Sequence, residues 1–168
     1  LRKLSHLINR NTRQGARRNI SAHYDLGNDF FSLWLDPSMM YSCAIFEPAE
    51  ISLAQAQQVR LERVCQRLNL QQGDELVEIG SGWGGLAVHA AREYGCKVTT
   101  VTISREQYEL AKQRIEDAGL TDQVTILMKD YRDLEGKYDK LISLEMIEAI
   151  GAEQYDTYFA KCSELLKP

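Results

Sequence analysis

The chain has 168 residues, 44% hydrophobic and 26% charged, with a formal net charge of -4, which suits one core better than two and an ordinary globular composition. No apolar run approaches the roughly 18–20 residues that span a bilayer, and the basic N-terminus lacks a signal-peptide core. Cys43, Cys65, Cys96 and Cys162 are irregularly spaced with no CxxC pair, which argues against a disulfide framework or zinc site and for a reducing cytoplasm.

Charge is unevenly spread. Arg2, Lys3, Arg10, Arg13, Arg17 and Arg18 all precede the first acid, Asp25, while the rest of the chain is acidic. Such an arm is either a solvated end or an edge that meets an anionic partner. Membrane phosphates would attract each basic residue by about 1 kcal/mol. Nucleic acid is not expected, because the arm has no interleaved aromatics and no recognised binding motif.

Residues 1–50 do not alternate strand and helix. Within them "SAHYDLGNDFFSLWLDPSMMYSCAIFEP" is rich in aromatics. Asn28-Asp29 can start a short helix carrying Phe30, Phe31, Leu33 and Trp34, with Asp36-Pro37 ending it. This segment is too apolar for a solvated linker and is expected to cover another part of the molecule.

Ser52 with Gln55 reads as a capping box, after which Leu53, Ala56, Leu61, Val64, Cys65 and Leu68 recur at helical spacing. From residue 74 the rhythm becomes strand and helix in turn. "ELVEI" precedes a helix near 83–94, "KVTTVTI" a helix near 105–118, and "QVTILMK" leads to "YDKLISL" and a last helix near 153–166. That alternation implies an α/β fold, a doubly wound parallel sheet of about four strands with helices on both faces. The fourth strand is expected to lack a partner on one side, where a longer parent chain would continue and self-association could follow. The ends, Leu1 and "SELLKP", also read as cuts from a longer protein.

Gly80, Gly82 and Gly85 fit GxGxxG between a strand and a helix, so a nucleotide-like ligand is expected. Glu78, just before the glycines, would sit badly beside a pyrophosphate if ionised and well beside the ammonium and sulfonium of S-adenosylmethionine. The next strand ends in Thr102-Ile103-Ser104 rather than an acid for an NAD ribose, with Thr102 and Gln107 as neutral hydrogen-bonding groups. Both details favour the methyl donor over a hydride carrier. With Trp83, the motif packs an acid, glycines and an indole into a few residues.

Five blocks, "NISAHYDLGNDFFSLWLD", "MMYSCAIFE", "EIGSGWGG", "VTISREQ" and "EMIEAIGAEQYDTYF", resemble in order those of the cyclopropane-fatty-acid synthase family of S-adenosylmethionine-dependent methyltransferases, over about residues 11–168. The resemblance implies a Rossmann-like fold of the class I methyltransferase type, with residues 1–50 as arm and lid and 51–168 as the N-terminal part of the cofactor domain. It implies methyl transfer to the double bond of an unsaturated phospholipid acyl chain at a membrane surface. A carbocation forms, and bicarbonate removes a proton so that the ring closes; water must be kept away. Methylation of an amine or acyl carbon without ring closure is the alternative.

By the same resemblance Tyr41, Ser42, Gly80, Gly82, Thr102, Ile103 and Gln107 touch the cofactor, and Tyr131 and Arg132 meet its adenine region. Cys43 falls at the active-site cysteine and Glu148 at the acid that hydrogen-bonds bicarbonate. Glu145 has no matched role, and His23 reads as structural. Ala149 and Ser81 stand where many members have histidine and cysteine. Further active-site residues are expected beyond residue 168, so that this length of chain would bind the cofactor weakly without turnover.

Overall fold

A computed structural model describes residue 15 and residues 27–168. The basic residues of the arm and His23 lie outside the described residues.

The first element is a short helix, α1 (Gly27–Ser32), followed by an irregular stretch to Ile51. Helix α2 (Leu53–Arg67) starts at Ser52, whose side chain accepts the Gln55 backbone N–H while the Gln55 side chain returns to the Ser52 N–H. This reciprocal cap satisfies two otherwise unpaired donors. Then come β1 (Glu75–Ile79), α3 (Gly85–Tyr94), β2 (Lys97–Thr102), α4 (Arg105–Asp117), β3 (Val124–Met128) and β4 (Lys140–Ile142). A four-residue helix, α5 (Ile147–Ile150), leads to α6 (Tyr155–Leu165).

All strand pairs are parallel and the spatial order is β3-β2-β1-β4. Period-two alternation sends β1 to both faces. Leu76 joins Leu61, Leu86, Val98 and Ile115 on the side of α2, α3 and α4. Val77 and Ile79 join Val101, Leu134, Tyr158 and Leu165 on the side of α6. The sheet is therefore doubly wound, and chain order reverses between β1 and β4, where such sheets open a crevice at the carboxyl ends of the strands.

One edge differs from expectation. The outer side of β4 is not wholly bare, because the chain leaving α6 forms a parallel bridge between Leu166 and Tyr138. Tyr138 N donates to Leu165 O at 2.9 Å and Lys167 N to Tyr138 O at 3.0 Å. The exit from α6 thus returns to the residues that lead into β4, while β4 itself stays the edge strand of the sheet. The strand itself is shorter than "YDKLISL" suggests, since Ser143 turns its hydroxyl onto Ile79 O at 2.8 Å.

Candidate active site

The crevice is a cavity of about 880 Å³ lined by the lead-in segment, α2, the loop after β1, the ends of β2 and β3, and the turn after β4. That volume lies toward the upper end for small-molecule sites, roughly 300–1,000 Å³.

Its floor is the glycine loop. Gly80 N and Ser81 N both donate to Val101 O, at 3.1 and 2.8 Å, which ties the loop to β2. Gly80 holds φ +96°, a backbone conformation that L side chains rarely adopt, so the loop turns there with bare backbone at the cavity floor. Helix α3 starts at Gly84 with no side-chain cap, leaving its first N–H groups to water or a ligand.

Glu78 and Thr100 face each other across β1 and β2. The Thr100 hydroxyl donates to Glu78 Oε2 at 2.6 Å, and Glu78 is buried on the cavity wall. Burial pushes its carboxyl up to about 8, only partly opposed by the Thr100 bond. The ionised acid expected from the sequence is therefore a protonated one at neutral pH until a cation approaches, because the desolvation cost of the anion exceeds what one hydroxyl returns.

At the end of β2, the Thr102 hydroxyl donates to Gln107 Oε1 at 2.8 Å and accepts Ser104 N at 3.1 Å. Ser104 in turn caps α4 by accepting Gln107 N. Ile103 lies between them on the wall. After β3, Arg132 is turned back on Asp130, with Nε to Oδ1 at 2.8 Å and Nη2 to Oδ2 at 2.6 Å. Asp130, buried and on the wall, is a site residue that sequence reasoning missed. The Arg132 guanidinium also sits 5.6 Å from the centre of the Tyr131 ring.

The lead-in segment roofs this floor. Phe31 is buried against Trp83 with ring centres 5.0 Å apart and against Tyr41 at 5.3 Å. Trp83 Nε1 donates to Asn28 Oδ1 at 2.6 Å, and Asn28 Nδ2 donates to Glu106 O at 3.3 Å. Trp83 lines the cavity, but its ring and its N–H chiefly dock the roof. Phe30 and Leu33 remain exposed, whereas Trp34, though half-exposed, lines the cavity and packs on Phe31 and Tyr41.

Tyr41 and Ser42 reach the cavity, whereas Cys43 is exposed just beyond its wall. Ser42 is gripped from α2: its carbonyl accepts Gln57 Nε2 at 2.8 Å and its hydroxyl accepts Arg60 Nη1. The acid that meets Cys43 is Glu145, whose Oε1 lies 3.3 Å from Cys43 N, 3.6 Å from its Sγ and 3.1 Å from Arg60 Nη2. Glu145 holds φ +50°, a left-handed backbone rare outside glycine and costing about 1–3 kcal/mol. Glu148, on the one-turn helix α5, is exposed at the cavity rim. The only sequence signal for Glu145 was its place at the carboxyl end of a strand beside the order reversal; Arg60 and Gln57 gave none, being polar positions on an amphipathic helix.

The residues present suit a nucleoside with a cationic amino-acid end. They offer an acid rather than a base at the glycine loop, neutral partners at the end of β2, and a backbone cradle. No helix among the described residues is long and apolar enough to cross a membrane.

A family model described as mycolic acid cyclopropane synthetase matches residues 11–168. The chain is 49% identical over 146 residues to the cyclopropane-fatty-acyl-phospholipid synthase of Escherichia coli, covering 87% of this chain and 37% of that protein. It is 44% identical over 164 residues to the tuberculostearic acid methyltransferase of Mycobacterium tuberculosis, covering 94% of this chain and 38% of that protein. The solved mycolic acid cyclopropane synthase CmaA1 complexed with SAH and CTAB superposes with a TM-score of 0.86 at 32% identity, over 90% of this chain and 53% of that one. The chain thus spans less than two fifths of the length of these two curated relatives. Its parallel sheet and glycine loop are those of the class I S-adenosylmethionine-dependent methyltransferase fold, and the chain belongs to the mycolic acid cyclopropane synthetase family.

Proposed function

We propose that this chain carries the cofactor-binding part of an S-adenosylmethionine-dependent methyltransferase that converts double bonds of unsaturated phospholipid acyl chains into cyclopropane rings. The observation that carries the reading is the buried Glu78 carboxyl on the wall of a glycine-floored cavity, under an aromatic roof. When bound, S-adenosylmethionine supplies a methyl group on a sulfonium, an electrophile that alkene π electrons attack.

The chain's own residues have separable tasks in this reading. Tyr41, Ser42, Gly80, Gly82 and Trp83 form the cradle, and Glu78 faces the cationic end. Thr102, Ile103 and Gln107 take the ribose side; Tyr131 and Arg132 border the adenine. Residues 27–50 exclude water from the developing cation, and residues 51–168 supply the cofactor fold. Cys43 and Glu148 hold a bicarbonate base at the rim, with Glu145 fixing Cys43. The exposed Phe30 and Leu33 on the roof suit a peripheral position on the cytoplasmic face of a membrane, whose lipid phosphates would attract the basic residues near the N-terminus. The incompletely paired edge of β4 supports self-association as a further expectation.

Methyl transfer without ring closure is the second reading, favoured by the likeness to the tuberculostearic acid methyltransferase and by Ala149 at a position where the family often has histidine.

Calorimetric titration of S-adenosylmethionine and NAD into the purified protein tests the cofactor: only the first should bind, and binding of NAD instead would remove the reading. Incubating the full-length parent with unsaturated phospholipid then separates the products. A mass gain of one methylene with loss of the double bond supports ring closure, and a retained double bond or a methyl branch refutes it.

A further inference from the structure

Gln57 lies on the cavity wall, 2% exposed, in the first turns of α2. Its amide has one orientation, because Nε2 donates to both Met40 O at 3.3 Å and Ser42 O at 2.8 Å. Exchanging nitrogen and oxygen would set Oε1 against two carbonyl oxygens. The orientation leaves Oε1 buried with no hydrogen-bond partner, an acceptor whose desolvation nothing offsets. We propose that Gln57 is a ligand-binding residue whose Oε1 accepts a hydrogen bond from the α-ammonium at the methionyl end of the bound cofactor. This rests on the S-adenosylmethionine reading and goes beyond its assigned contacts.

Neighbouring groups identify which end of the ligand belongs here. The Ser42 hydroxyl accepts from the Arg60 guanidinium, which polarises it and leaves its own hydrogen to donate. Arg60 is charge-paired with Glu145, so the local field is near neutral but the Ser42 side favours an anion. A polarised donor beside an unpaired acceptor complements an α-amino acid, with carboxylate on the Ser42 hydroxyl and ammonium on Gln57 Oε1. An ammonium has three N–H donors, so it can serve Gln57 and Glu78 together. An acyl chain offers no donor at all. A protonated carbonate oxygen offers one, and the test separates it from the ammonium.

S-adenosylhomocysteine, and its analogue with hydrogen in place of the α-amino group, are titrated into the wild type, Gln57→Met and Gln57→Glu in bicarbonate-free buffer. Circular dichroism confirms that each variant is folded. The wild type should bind the amino form at least ~10-fold more tightly. Gln57→Met, in which Glu78 still meets the ammonium, should narrow that ratio at least ~3-fold, and Gln57→Glu, which keeps an acceptor on that wall, should narrow it less than Gln57→Met does. If the ratio is the same in wild type and Gln57→Met, Gln57 only pins the loop and the inference is overturned. The same holds if Gln57→Glu discriminates no better than Gln57→Met, which also serves if Gln57→Met fails to fold and Gln57→Glu shows no preference. A Gln57-dependent response to added bicarbonate but not to the amino group would assign the acceptor to carbonate and overturn it too. Absence of S-adenosylhomocysteine binding by the wild type would instead sink the cofactor reading from which the inference starts.

Discussion

The Arg60 guanidinium and the Glu145 carboxylate meet at 3.1 Å beside the cavity, one offered by α2 and the other by the turn after β4. Their burial is unequal: the Arg60 side chain is 8% exposed and that of Glu145 40%. Removing Glu145 strands a buried guanidinium, while removing Arg60 leaves an acid that water can reach. Glu145→Leu should therefore destabilise the protein by about 1–3 kcal/mol and Arg60→Met by less. Denaturant melts of the two variants decide it; equal losses, or a larger loss for Arg60→Met, would refute the ordering. Because Glu145 also holds Cys43, its variant should lower turnover of the full-length parent more than it lowers cofactor affinity.

Glu78 makes a pH prediction with a definite sign. Its carboxyl sits at about 8 in the folded protein against 4.5 in the open chain, because burial raises it. Between those values the unfolded chain has released a proton that the folded one keeps, so stability falls as pH rises from about 4.5 to about 8. Below that window the penalty is absent, and above it the penalty is complete. Glu78→Gln should flatten this slope and stabilise the ligand-free protein near neutral pH by a few kcal/mol, on the order implied by the shift. The same variant should weaken S-adenosylmethionine. If the wild-type carboxyl ionises to meet that cation, binding at pH 7 must release a proton, which titrations in buffers of different ionisation enthalpy will count. A wild-type melting temperature that does not fall across the window would contradict the assignment.

The sheet was legible because period-two and period-3.6 patterns change over sharply at Gly73, Gly95 and Gly119, each a positive-φ stop. The β1 loop was legible for the same reason: Gly80 and Gly82 are the residues that a close ligand approach requires. Less could be read where geometry depends on residues far apart in sequence. Trp83 carried a motif signal, but its docking on Phe31 and Asn28 joins positions more than fifty residues apart. Glu145 and Glu148 are indistinguishable by composition; a left-handed residue at 145 and a one-turn helix after it decide which acid meets Cys43. The protonation of Glu78 could not be read either, since it follows from desolvation rather than from residue type.

Thiol chemistry should follow burial. Cys43 is exposed, Cys162 half-buried, and Cys65 and Cys96 fully enclosed. Burial pushes the Cys65 thiol up to about 12 and raises those of Cys96 and Cys162 as well. Since the thiolate is the nucleophile, iodoacetamide at pH 8 should label Cys43 first and Cys162 more slowly. Cys65 and Cys96 should react only after denaturation. Peptide mass spectrometry over a time course reads the order, and early labelling of Cys65 or Cys96 would mean that the face of the sheet carrying α2 and α3 opens readily.

Gly85 tests whether the roof is fixed to the floor. It is the first residue of α3, and a Cβ there would lie 2.7 Å from Met40 Sδ and 2.9 Å from Ser38 O. The thioether can swing aside, but the Ser38 carbonyl is backbone and is held because Asp36 accepts both Ser38 N and the Ser38 hydroxyl. Two effects compete in Gly85→Ala. Helix propensity favours alanine by about 1 kcal/mol, whereas overpacking a close contact costs about 1–3 kcal/mol. Contact with a fixed carbonyl makes the second larger, so the variant should melt lower and residues 34–47 should become the first site of proteolysis. Adding Met40→Ala should recover only part of the loss, because Ser38 O remains in the way. A Gly85→Ala protein that melts higher than wild type, with an unchanged digestion pattern, would mean that the roof moves freely over α3 and cannot by itself keep water from the cavity.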